Sequence, residues 1–225
     1  MAHAFFLGVD ATPSDAADSF DVTFALFEKS KEGNDEIPQY RLDHIRHRTG
    51  VPSAKDLAEH LQGVVADRPY IGRTSLIVNR GTTFGQGLVD ALEDRGLDPV
   101  AATLTEGTGV TSGETDEIAV QLGGIDAVRT LADCHRDGVL TMEGPPTEVG
   151  SQLARDVQAL AEQLDAADGG SEALEGTTSG PSFDPTATHV TSAALAVWLG
   201  TERSFDPSQH LKESPRTGSA DGSSV

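Results

Sequence analysis

The chain begins with an unbroken apolar run, Phe5-Phe6-Leu7-Gly8-Val9, which stops at Asp10. A short continuous apolar run bounded by turn residues marks a strand buried on both faces, so Ala4 to Thr12 is predicted as a central strand. A polar turn, Pro13 to Ser19, precedes a second strand, Val22 to Glu28, and a charged turn, Lys29 to Ile37, leads to a third, Gln39 to Arg48. Three strands joined by short turns predict an antiparallel meander. At Ser53 the rhythm changes: Leu57, Leu61, Val64 and Val65 recur at helical spacing, with Ser53 as N-cap and Asp56 in the first turn. A short strand, Ser75 to Val78, is followed by a helix from Phe84 to Arg95 that Gly96 terminates, and then by a strand from Pro99 to Leu104. Strand-helix-strand order of this kind gives parallel pairing, so the sheet is expected to be mixed.

Beyond these elements the pattern thins. Glu106 to Thr115 reads as a flexible stretch, Ile118 to Leu122 as a short apolar piece, and Ile125 to His135 as a helix. A brief strand, Val139 to Met142, and a helix from Glu148 to Leu164 follow. Ala166 to Ser182 has the composition of a disordered insertion, and Thr186 to Leu199 is a small, apolar helix whose Trp198 is assigned to the core. Residues 1–200 are thus expected to form one α/β domain, with 166–182 as an insertion and 201–225 as a disordered tail.

Charge alters the picture more than length does. The net charge is -20, from 36 acidic against 16 basic residues, and lysine occurs only at positions 29, 31, 55 and 212. An acid-rich, lysine-poor chain resembles the proteins of salt-in halophiles, in which concentrated salt screens self-repulsion. Such charge opposes nucleic-acid binding, which needs a basic face; Arg41, His44, Arg46, His47 and Arg48 form the one candidate patch. No run approaches the roughly 20 apolar residues of a spanning helix, and the start of the chain lacks a signal-peptide pattern. A cytoplasmic protein with no membrane partner is expected. The single cysteine, Cys134, has no thiol companions for a disulfide or a zinc cluster and reads as a spectator.

Candidate chemistry centres on Asp10, an acid delivered by an apolar strand, and on Asn79, an amide delivered in the same way by Leu76-Ile77-Val78. Several strings accompany them: Tyr40-Arg41-Leu42-Asp43-His44-Ile45-Arg46, Thr74 to Gly85, Pro99 to Thr105, and His189-Val190-Thr191-Ser192 through Trp198. In their order and spacing these resemble the RNase H-like nuclease domain of tailed-phage terminase large subunits, over most of residues 4–200. The resemblance implies a mixed sheet of three antiparallel strands followed by parallel ones, with helices on both faces. It also implies a pair of divalent cations, Mg or Mn, held by a first-strand Asp, an acid after the fourth strand and acids on the last helix. Asp10 matches the first position, whereas Asn79 stands at the second and Val190 and Thr191 stand at the last. Asparagine brings no charge and valine cannot coordinate, so a domain of this kind is expected to have lost hydrolysis and to act in binding or assembly with DNA or viral packaging proteins. No G-x-x-x-x-G-K-[ST] loop is present, so the packaging ATPase is absent from this sequence.

Other readings compete. Glu106, after the fifth strand, and Asp184, before the last helix, could join Asp10 in a relocated metal site of an active nuclease, although in a chain this acidic both also read as solvated loop carboxylates. The sheet could alternatively serve a non-enzymatic structural or regulatory module. Asp10 could simply initiate the turn that follows it, and Asn79-Arg80-Gly81 could be a strand-to-helix turn and not a phosphate cradle. His44 and His47 are expected on opposite faces of their strand, and a salt-bridged edge explains the basic patch without any ligand. His135 suits the C-terminal end of a helix, and His189 a cap or surface position.

Overall fold

The computed structural model describes residues 2–14, 18–31, 37–105, 108–112, 119–142, 147–168 and 187–203. Strands β1 (Ala2–Pro13), β2 (Phe20–Lys31) and β3 (Gln39–Val51) form the antiparallel meander; helix α1 (Ala54–Ala66) then leads to β4 (Thr74–Asn79), α2 (Thr83–Glu93) and β5 (Val100–Thr105). After these come β6 (Val110–Ser112), β7 (Ala119–Gly123), α3 (Gly124–Arg136), β8 (Leu140–Thr141), α4 (Glu148–Asp168) and α5 (Thr188–Glu202). The eight strands among the described residues lie in one sheet in the order β6-β7-β5-β4-β1-β2-β3-β8. β4 is parallel to β1, β5 to β4, β7 to β5 and β8 to β3, whereas β6 returns antiparallel to β7. The fold is therefore α/β with a mixed sheet, as the element order predicts.

Alternation along β1 sorts its side chains into two cores. Phe5, Leu7 and Val9 face α1 and α2, meeting Leu57, Leu61, Leu88 and Leu92, while Phe6 faces α3, α4 and α5 together with Phe27, Leu131, Leu153 and Trp198. Helix α5 is buried along nearly its whole length, Thr188 and Val190 through Gly200, because the sheet lies on one side of it and α3 and α4 on the other. A helix apolar all round is what such a position requires. Its close seat depends on Gly8: a Cβ there would meet the backbone of Ser192 and Ala196.

Several boundaries differ from the sequence expectation, each for a tertiary reason. β1 runs one residue past the expected Thr12, pairing with β2 out to Pro13, opposite Phe20, so Asp10 lies within the strand and does not initiate a turn. β2 continues past Glu28 into the expected charged turn, because Lys29 pairs with Ala4 and sends its amine to the end of α5. There the Lys29 Nζ donates to the Gly200 carbonyl at 2.6 Å and the Arg203 carbonyl at 3.1 Å, supplying a cation where a helix leaves unsatisfied acceptors. This lysine is only 6% exposed, lies over the rings of Phe6 and Tyr40, and its burial lowers its pKa. Within the expected flexible stretch, β6 forms by pairing with β7. The helix before the 166–182 insertion runs on to Asp168, and α5 runs past the expected domain end at 200; residues 169–186 and 204–225 lie outside the described residues.

The Ser53 cap is observed, its side chain accepting from the Lys55 N–H, and Thr82 caps α2 by accepting from the Gly85 N–H at 3.0 Å. Removing the latter oxygen by Thr82→Ala is expected to cost about 1 kcal/mol, measurable as a lower urea midpoint with an unchanged slope.

Candidate functional site

The even-numbered residues of β1 that face α5 run from Phe6 through Gly8 to Asp10, so the strand brings its acid under the first turn of α5. Asp10 is 2% exposed. The Asn79 Nδ2, from the last residue of β4, donates to Asp10 Oδ1 at 2.7 Å, and the Asn79 Oδ1 in turn accepts from the Gly81 N–H at 3.0 Å. The Ala11 backbone and the Thr191 side chain also hydrogen-bond the carboxyl. Burial nevertheless dominates and raises the Asp10 pKa from 3.8 to about 6. Asp10, Asn79 and Thr191, three positions singled out by sequence, thus converge. Val190 turns instead into the apolar core.

Beside them lies a second polar row that the sequence pattern did not reveal. Thr23 sits opposite Asp10 in the β1–β2 register and opposite His47 in the β2–β3 register. Its hydroxyl bonds the Thr188 hydroxyl at 2.8 Å and His47 Nδ1 at 2.9 Å. A polar band therefore crosses the sheet from Asn79 to His47 beneath the start of α5. The sequence carries no periodic signal for it, because only the register of the adjacent strands β1 and β2 sets Thr23 opposite Asp10.

The other candidates fall elsewhere. Glu106 and Asp184 lie outside the described residues. His189 pairs with Asp156 on α4 at 2.7 Å, linking two helices rather than facing Asp10. His44 packs against Phe24 on the α1 face, and His47 lies on the α5 face. Arg41 is ion-paired with Glu28 and lies near Asp43, as an edge of salt bridges predicts, but Arg46 and Arg48 have no such partner among the described residues. The Asn79-Arg80-Gly81 loop directs the Gly81 and Gly85 N–H groups to its own side chains, and Arg80 Nε to the Thr103 hydroxyl at 3.1 Å. Those donors are thereby occupied within the turn. Cys134 is half-buried, its thiol pushed up to about 11 chiefly by burial, which makes it a poor nucleophile at neutral pH.

Chemically, the band offers one carboxyl, one amide, three hydroxyls and one imidazole. A pair of divalent cations needs several anionic oxygens to offset its charge, and this donor set does not fit one. Among the described residues no group of three or more His, Cys, Asp or Glu side chains is placed to hold a metal ion, and no helix is long and apolar enough to cross a membrane. Comparison of the chain with protein-family models, with curated proteins and with solved structures gives no match.

Proposed function

We propose that the chain is an RNase H-like domain of the terminase-nuclease type in which the metal site has been neutralised, and that it works by binding DNA or viral or proviral packaging proteins, not by hydrolysis. One observation carries this reading. The first strand, the fourth strand and the last helix meet at Asp10, Asn79 and Thr191, where a two-metal nuclease has acids, and a single carboxyl stands there, sealed from solvent and bonded to an amide. The order β3-β2-β1-β4-β5, with the first three strands antiparallel and the next two parallel, supports the RNase H-like assignment. A net charge of -20 suits work in concentrated salt, where electrostatic attraction to DNA is weak and protein contacts carry more of the affinity.

The test is DNA cleavage in molar KCl with Mn²⁺. Wild type and Asp10→Ala are expected to be equally inactive, and calorimetry is expected to show no uptake of paired cations by wild type. The double variant Asn79→Asp/Thr191→Asp, which restores carboxyls at the two neutralised positions, is expected to gain Mn²⁺ affinity. Wild-type cleavage abolished by Asp10→Ala would show that Glu106, Asp184 or other acids complete a working site, and the binding reading would be abandoned.

A further inference from the structure

The outer edge of β3 is taken by β8 only at Tyr40 and Arg41. Beyond Arg41 no strand among the described residues pairs with that edge. From Arg46 to Gly50 every residue is exposed, and Arg46, His47 and Arg48 keep the extended form because they remain paired to β2 on the inner side, up to Gly50, whose φ of +65° ends the regular edge. A strand held on one side presents alternate N–H and C=O groups on the other, which is a template for another strand.

The side chains on this edge are unusual for the chain. Arg46 and Arg48, two residues apart, lie on one face of the pleat, about 6.5–7 Å apart along the strand. Arg41, lower on the same strand, is paired with Glu28. Neither Arg46 nor Arg48 is paired among the described residues, although acids outnumber bases 36 to 16. Their field is felt locally: both lower the pKa of His60 on α1, and Arg46 lowers that of His44, in each case adding to the larger effect of burial.

We propose that the Arg46–Thr49 edge of β3 is a docking strand for an acidic, extended peptide of a partner protein, which pairs with the β3 backbone and sets carboxylates at alternate positions against Arg46 and Arg48. Three considerations select this occupant. An added strand repeats every second residue with the spacing of the two guanidiniums. A nucleic-acid duplex has no peptide groups to pair with the edge. A second copy of this edge would set arginines against arginines. The inference rests on β3 alone and does not depend on the reading of Asp10.

The probe is a fluorescein-labelled peptide of alternating valine and glutamate, followed by anisotropy, with two companions N-methylated on alternate amides in either register. Saturable binding is expected, lost in one methylated register and retained in the other, and weakened about tenfold or more by Arg46→Glu/Arg48→Glu. Arg46→Gln/Arg48→Gln should weaken it less, and unchanged circular dichroism and melting should show that both variants are folded. The proposal is overturned by absent saturable binding, by equal affinity for both methylated peptides, by displacement of the peptide by a DNA duplex, or by a sedimentation result in which the chain self-associates through this edge.

Discussion

Gly8→Ala is expected to remove a large part of the domain's stability. The added Cβ would stand 2.0 Å from the Ser192 carbonyl oxygen and 2.8 Å from the Ala196 nitrogen. Both are backbone atoms of α5, so no side chain can rotate away; the helix must lift from the sheet. Lifting it opens the contacts of Ala193, Ala196 and Val197, and the cost should reach about 4 kcal/mol or more, a large part of a typical domain's stability. Gly63, in α1, has nothing within 4 Å of the same added carbon, so Gly63→Ala is expected to raise stability by roughly 0.5–1 kcal/mol. Urea unfolding of both variants measures the contrast. Equal midpoints for Gly8→Ala and wild type would mean that α5 does not rest on β1 as described.

The second large effect is expected from Asp10→Asn and depends on pH. With a folded pKa of about 6 against 3.8 in the unfolded chain, the folded protein retains the Asp10 proton over a range in which the unfolded chain has released it. Stability is therefore fully present below about pH 4 and declines as pH rises through 6, by up to about 3 kcal/mol from this one group. Asparagine cannot ionise and still offers an oxygen to Asn79, though its amide fits less well beside the Ala11 and Thr191 donors. The variant should accordingly be about 1–3 kcal/mol more stable than wild type at pH 8, and the gap should close towards pH 4. Comparing the two proteins cancels the titration of the many other acids. A variant less stable at pH 8, or a gap indifferent to pH, would contradict the buried, desolvated carboxyl.

Much of the frame was legible from local pattern. The apolar runs of β1 and β4, the helical spacing from Leu57 to Val65 and the Ser53 cap located the elements to within a few residues, and strand-helix-strand order gave the parallel pairing. Asp10, Asn79 and Thr191 were singled out through the resemblance, and the fold brings the three together. What escaped depends on partners distant along the chain. Lys29 resembles a turn residue until its amine is seen to meet carbonyls at the end of α5. Val110 to Ser112, within a stretch rich in glycine and threonine, becomes a strand only because β7 lies alongside. Thr23 carries no periodic signal, since its role comes from register with Asp10 and His47.

Helix α5 is the last described element to be synthesised, and it lies at the centre of one core, covering Phe6, Ala25 and Phe27. A nascent chain that has already made its meander must therefore hold that face of the sheet bare while well over a hundred further residues leave the ribosome. Native closure is a late, long-range event, and until it occurs the exposed aromatic face is a surface on which two unfinished chains can stick.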